Sequence, residues 1–212
     1  MSASLQADSL VLARTMAGAI GTELIEVYPR EMENPLYVAN RPDRCFHCKQ
    51  ALYSILSDLA ALADGEVVLD GTNRDDLSDR RPGRAAAASL GIRSPLADLG
   101  WTKDEIRRMS RLLGLPSWNR PASPCLSSRI PHGTSVTVSA LRQIEEAERR
   151  VRALGFADVR VRHHGRVARV EVPADEVARL QRLWPRIEPS VRDCGYAEVH
   201  LNREGYRRGG AG

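Results

Sequence analysis

Cys45 and Cys48 form a CxxC pair in RPDRCFHCK, Cys125 follows far downstream in PASPCLSSR, and Cys194 stands alone near the C-terminal end. Four cysteines in 212 residues are too few for a disulfide scaffold, so the close pair points to metal or redox chemistry rather than to a bridge. A metal takes the thiolate form. The unpaired N–H groups and positive dipole end of a helix N-terminus favour that form. Asp43 is the expected N-cap of such a helix. Cys45, Cys48, Leu52, Ile55, Leu59 and Leu62 repeat at the spacing of one helical face, which puts both thiols in the first turn on a core-facing stripe. A single CxxC is half of a tetrahedral zinc site, no second CxxC or HxxxH completes it, and His47 at i+2 points off that face. If Cys125 folds back, three thiolates leave one coordination position open, as at an iron–sulfur cluster whose fourth iron takes an exchangeable ligand. On the residues alone, the cluster, structural zinc and plain buried or redox thiols all stay open. Cys194 reads as a small core residue.

A second constellation lies in VRVRHHGRVARVEV. With His164-Gly165 as a two-residue turn, Arg160 falls opposite Arg169, and Arg162 projects from the same face. Like charges across a ladder repel, so three guanidiniums there call for an anion or for carboxylates among them. Glu171 can neutralise one, and a solvated charged face is the alternative. Glu148 falls inside the apolar stripe of Leu141, Ile144, Val151 and Leu154. A carboxylate there is either a structural ion pair or an acid facing a site beneath the basic hairpin. In DGTNRDD, residues 70–76, a polar loop follows a short apolar run, where open α/β sheets bind ligands. Gly71, Asn73 and Asp76 are its candidate nucleotide and Mg²⁺ contacts, although any turn prefers such residues.

The elements that must position these groups alternate. A helix over SLVLARTMAGAIG, a strand at residues 23–27, the CxxC helix, a buried parallel strand at residues 66–70 and a helix capped by Thr102 and Glu105 predict an α/β layer. A proline- and serine-rich stretch with Cys125 interrupts the pattern. A small α+β module follows: helix 140–154, strands 158–162 and 167–172, a helix from 174 to about 191, and strand 196–201. The predicted organisation is an α/β parallel-sheet domain over residues 1–115, an active-site loop over 116–137 and an α+β substrate domain over 138–212. Hydrophobic residues make up 42%, ample for a core. The net charge of +4 and 5% aromatics suit an anionic small molecule and argue against nucleic acid. No apolar run approaches the roughly 20 residues of a membrane span, and no signal sequence opens the chain, so a cytoplasmic location is expected.

Taken together, NRPDRCFHCK, DGTNRDDLSDRRPG, RSPLADLGWTKDEIR, RPASPCLSSRIPHGT, LGFADVRVRHHGRVARVEV and LNREGYRRGG resemble the LarE family from about Asp8 to Gly209. These are ATP-dependent sulfur transferases of nickel-pincer cofactor synthesis, within the PP-loop (adenine nucleotide alpha hydrolase-like) superfamily. The resemblance implies that ATP adenylates a carboxylate of pyridinium-3,5-biscarboxylic acid mononucleotide, releasing pyrophosphate, and that sulfur then replaces the activated oxygen. One branch of the family sacrifices a cysteine, whose position falls here on Pro124. Another holds a [4Fe-4S] cluster with an extra sulfide on three cysteines, which match Cys45, Cys48 and Cys125. The resemblance therefore implies a reusable sulfide donor, with Cys125 and Glu148 catalytic and Ser128, Arg129, Arg160 and Arg162 binding the substrate. It also implies a homo-oligomer, because family members assemble into dimers or larger rings.

The chain departs from the family at its start. The superfamily loop Ser-Gly-Gly-x-Asp-Ser cradles the pyrophosphate of ATP at a helix N-terminus. Before Cys45 this chain has only Gly18 and Gly21. The expectation is an incomplete PP-loop domain, a fragment or one that works with a complementing N-terminal polypeptide. Two readings compete with the sulfur transferase: a tRNA-thiolating PP-loop enzyme, and a non-catalytic remnant that binds a cluster or substrate without activating it.

Overall fold

In a computed structural model of the chain, residues 1–63, 66–78, 82–120 and 123–206 are described. Of the motifs above, residues 79–81, 121–122 and 207–210 lie outside them. The fold is mixed α/β and divides into two units, Met1–Ala122 and Ser123–Gly212.

The first unit contains α1 (Ala7–Ile20), α2 (Pro35–Val38), α3 (Arg44–Leu62), α4 (Pro82–Ser89), α5 (Pro95–Asp98) and α6 (Lys103–Leu112). Local chemistry sets several of their ends. At α2 the Asn34 side chain accepts the Leu36 N–H beside Pro35 at the first helical position. At α6 Thr102 and Glu105 close the expected capping box. That helix stops at Gly114, whose φ of 68° lets the Leu115 N–H reach back to the Ser110 carbonyl at 2.9 Å. α3 packs on α4 around Tyr53, Ala87 and Ile92.

Two expectations fail in this unit. Residues 23–27 form no strand, and residues 66–70 contribute one parallel bridge, Leu69 to Arg93, in place of a full strand. A strand is a pairing rather than a property of a segment. Ile25 is 64% exposed and Leu69 57% exposed, so among the described residues neither run is covered by a sheet. The apolar stripe of α3 is likewise not its buried face: Tyr53 is buried against α4, whereas Cys45, Leu59 and Leu62 are exposed. Periodicity shows which residues share a face, and the neighbouring element decides which face is covered.

The second unit opens with a 3-10 turn, Leu126–Arg129, followed by α7 (Val138–Ala153), β1 (Arg160–His164), β2 (Val167–Glu171), α8 (Val177–Arg192) and β3 (Glu198–Leu201). The sheet order is β1-β2-β3, with β1 antiparallel to β2 and β2 parallel to β3 through the α8 crossover. Val159, Val161, Ala168, Val170 and Val172 join Ala147, Val151, Leu180, Ile187 and Val191 in one core. Alternation along each strand therefore sends the intervening Arg160, Arg162, Arg169 and Glu171 to the opposite face.

The hairpin register differs from the expectation. The loop residues are Gly165 and Arg166, so Arg162 opposes Arg169 and Arg160 opposes Glu171. Gly165 has φ of +66° while Arg166 stays out of the left-handed region, the pattern of a type II′ turn with glycine first. The pairing moves by two positions, an even shift, so every side chain keeps the face assigned to it. Among the described residues no helix is long and apolar enough to cross a membrane.

Candidate functional site

Thr137 caps α7 by accepting the Ala140 N–H at 3.1 Å, and the buried stripe of Leu141, Ile144, Ala147 and Val151 seats the helix on the core. Glu148 rides in that stripe and is fully buried. Its carboxylate takes Arg129 Nε at 2.8 Å and Nη2 at 3.2 Å, Arg152 Nη2 at 2.8 Å and the Val161 N–H at 3.1 Å. Both oxygens are thus committed to two guanidiniums and the backbone of β1. The remaining nitrogen of Arg129, Nη1, donates to the Pro124 carbonyl at 2.7 Å, the Cys125 carbonyl at 3.2 Å and Ser128 Oγ at 3.0 Å. Through one guanidinium the loop carrying exposed Cys125 is fastened to the core of its unit.

The polar face of the hairpin continues the site. Arg162 donates from Nε to Glu171 at 2.9 Å and from Nη1 to the Ser128 carbonyl at 2.8 Å. Arg169 reaches the other oxygen of Glu171 at 3.0 Å. Arg160 differs from both: its side chain is buried, its Nε has no hydrogen-bond partner, and its guanidinium stacks 4.0 Å from the centroid of the Tyr206 ring. Burial lowers the Arg160 pKa, Tyr206 and Asp158 oppose that shift, and the charges of Arg129 and Arg162 add to it. An arginine does not give up its proton, so the result is a desolvated cation in want of an anion. Ser128, Arg129, His132, Arg162, His164 and Arg169 line a small basic recess. Partial desolvation and the charge of Arg169 push the His164 ring below its usual pKa, against the opposing charge of Glu171.

In the first unit, Cys45 and Cys48 occupy the first turn of α3, Cys45 exposed and Cys48 half-buried. Asp43 stands at the N-cap position, but its carboxylate meets His47 Nε2 at 3.3 Å instead of capping the backbone. Gly83 lets the start of α4 approach this turn, since an added Cβ would lie 2.9 Å from Lys49 Cγ and 3.4 Å from the Cys45 carbonyl oxygen. Cys45 and Cys48 belong to one unit and Cys125 to the other. Among the described residues no group of three or more His, Cys, Asp or Glu that could hold a metal ion is formed.

The loop after residue 69 is held by its own side chains. Asp70 accepts from Tyr53 Oη at 2.9 Å, Ser94 Oγ at 2.7 Å, and both the N–H and hydroxyl of Thr72, at 3.0 and 2.9 Å. Asn73 Oδ1 accepts the N–H groups of Asp75 and Asp76, and Asp76 Oδ2 accepts the Asn73 N–H at 3.2 Å. Asn73 and Asp76 therefore shape the turn, while an added Cβ at Gly71 would meet nothing within 4 Å.

Sequence reasoning did not single out Asn202 and Tyr206, although the hairpin arginines rest on them. Asn202 Nδ2 donates to Glu171 at 3.2 Å and the Tyr206 hydroxyl to Asp158. The available signal was an aromatic residue in a glycine-containing tail motif, LNREGY, with no pattern of its own.

No protein-family model matches the chain. An uncharacterized protein of Synechocystis sp. is 41% identical over 211 residues, covering 99% of this chain and 79% of that protein. The pyridinium-3,5-bisthiocarboxylic acid mononucleotide synthase of Lactiplantibacillus plantarum is 37% identical over 170 residues, covering 80% of this chain and 62% of the synthase. An uncharacterized protein of Methanocaldococcus jannaschii is 31% identical over 170 residues, with coverages of 80% and 66%. The chain thus spans less than two thirds of the length of the last two relatives.

Proposed function

The chain belongs to the LarE family, and from that premise we propose that it transfers sulfur to an ATP-activated carboxylate of a pyridinium mononucleotide. The observation that carries this reading is Arg160, a desolvated guanidinium with an unpartnered Nε, standing two residues from Arg162 on one strand face. A phosphate monoester supplies the missing charge and acceptors, and the planar fork of arginine suits it. Arg160 and Arg162 then hold the substrate phosphate, and Ser128 lies in the recess beside Arg162.

Carboxylate oxygen is a poor leaving group and AMP a good one. In the proposed reaction the carboxylate attacks the α-phosphorus of ATP and pyrophosphate departs. Sulfide then forms a C–S bond at the acyl carbon while the C–O bond to AMP breaks, leaving a thiocarboxylate. In this reading the nucleotide and Mg²⁺ meet the loop of residues 70–76 at Gly71, Asn73 and Asp76, the turn that its own side chains hold in shape. Glu148 has no solvent-exposed surface and four donors on its two oxygens. That saturation favours a positioning role through Arg129 over proton transfer.

The donor chemistry of Cys45, Cys48 and Cys125 suits an iron–sulfur group: three cysteine sulfurs, two of them on exposed residues. When bound on these thiols, a [4Fe-4S] cluster supplies a transferable sulfide. The chain's own contribution at Cys125 is the loop geometry that Arg129 and Arg162 impose on residues 124–128.

The reading is tested by incubating anaerobically reconstituted protein with pyridinium-3,5-biscarboxylic acid mononucleotide, ATP, Mg²⁺ and sulfide. The expected result is a product heavier by the difference between sulfur and oxygen, with matching AMP and pyrophosphate. Pyrophosphate without the mass shift, or neither, overturns it.

A further inference from the structure

The chain leaves β3 and runs on beside β2, with the Asn202 N–H donating to the Val170 carbonyl at 2.9 Å and the Tyr206 N–H to the Val172 carbonyl at 3.0 Å. Between them Gly205 is buried at φ of +71°, and an added Cβ would lie 2.8 Å from Ala174 Cα and 3.0 Å from the Val172 carbonyl oxygen. Only glycine lets the backbone pass so close. This path brings two side chains onto the basic face. Asn202 Nδ2 bonds the Glu171 oxygen shared with Arg169, and it also bonds the Gly205 carbonyl at 3.2 Å. The Tyr206 ring lies against the Arg160 guanidinium, and its hydroxyl is anchored on Asp158.

We infer that residues 202–206 are a positioning element for the anion site, with Tyr206 setting the plane of Arg160 and Asn202 acting through Glu171 on Arg162. The choice of an aromatic partner has a chemical consequence. A carboxylate on Arg160 would consume the N–H donors that an incoming phosphate needs. A ring attracts the same cation through its face and leaves those donors free. On Arg162, Glu171 takes Nε and the Ser128 carbonyl takes Nη1, which fixes the plane of that fork beside Arg160. The inference rests on the reading that Arg160 and Arg162 take the substrate phosphate.

The test titrates nicotinic acid mononucleotide, a pyridinium carboxylate with one phosphate, into the full chain by calorimetry. The variants are Arg160→Ala, Tyr206→Leu, Tyr206→Phe, Asn202→Ala and the double variant Arg160→Ala/Tyr206→Leu, each checked by circular dichroism. Tyr206→Leu is expected to weaken binding roughly ten-fold, and Tyr206→Phe, which keeps the ring, to stay within about three-fold of the parent. In the Arg160→Ala background the leucine change is expected to add nothing. If Arg160→Ala binds as tightly as the parent, or the parent does not bind, the phosphate reading fails and this inference with it. If Arg160→Ala is weak but Tyr206→Leu is not, or their losses add in full, the phosphate reading stands and the positioning role is overturned. Should Tyr206→Leu fail to fold, Asn202→Ala decides: parent-like affinity there overturns the role, and weaker affinity supports it.

Discussion

Arg129 reaches Glu148 through two hydrogen bonds, Nε to Oε1 at 2.8 Å and Nη2 to Oε2 at 3.2 Å, while its Nη1 grips the Pro124 and Cys125 carbonyls. The pair is a structural joint as well as an ion pair, because neither side chain is more than 2% exposed. Glu148→Ala leaves Arg129 and Arg152 without their carboxylate, and removing one partner of a buried pair costs about 3–5 kcal/mol. Urea unfolding is expected to show that loss. The alkylation rate of Cys125 should change while that of Cys45 does not. Unchanged stability and unchanged Cys125 reactivity would sink the joint.

The four thiols are expected to divide three to one. Serine at position 45, 48 or 125 should each cut anaerobically reconstituted iron well below the roughly four per chain of a [4Fe-4S] group, with loss of the visible absorbance. Cys194→Ser should leave iron content unchanged. Its sulfur packs against the second-unit core, sits 3.6 Å from the Ser190 carbonyl, and is pushed up in pKa by burial. Full iron in any of the first three variants would rule out the triad.

Alternation explains why the hairpin face was legible in the sequence. Strand side chains repeat every second residue, so even a displaced pairing kept Arg160, Arg162, Arg169 and Glu171 together. Glu148 was visible for a similar reason, as a carboxylate inside a helical stripe. The stacking of Tyr206 on Arg160 was not legible, because it joins positions remote in the chain through a turn that depends on Gly205. Nor was the orientation of α3, since the residues that cover Tyr53 lie on α4 and near Ile92. The expected strands at residues 23–27 and 66–70 failed on the same ground: pairing is supplied from outside the segment.

Asp70 gives the first unit a pH-dependent contribution. Burial acts to raise its pKa, but the hydrogen bonds from Ser94, Thr72 and Tyr53 together outweigh it and hold the carboxyl below its usual 3.8. The unfolded chain therefore binds the proton at higher pH than the folded chain. The stabilisation is present above about 3.8 and is lost as pH falls through the lower folded value. Asp70→Asn should destabilise the protein at about pH 6, and the gap from the parent should narrow at about pH 3. Tyr53→Phe, which deletes one of the donors, is expected to cost about 0.5–1.5 kcal/mol. A gap that widens on acidification contradicts the assignment.

Arg162 and Arg169 face each other across the ladder and share Glu171, yet they should respond very differently to truncation. Arg169 is 47% exposed, and its bond to Glu171 is screened and offset by repulsion from the guanidinium opposite. Arg169→Ala is therefore expected to change stability by no more than about 1 kcal/mol. Arg162 is 12% exposed and also carries the Ser128 carbonyl at 2.8 Å, so its loss releases a loop contact along with the ion pair. Arg162→Ala should cost about 1.5–3 kcal/mol in urea unfolding. It should also weaken nicotinic acid mononucleotide binding, with Arg169→Ala close to the parent at moderate salt. Equal losses from the two variants would mean that the shared face, rather than the buried member of the pair, holds the anion.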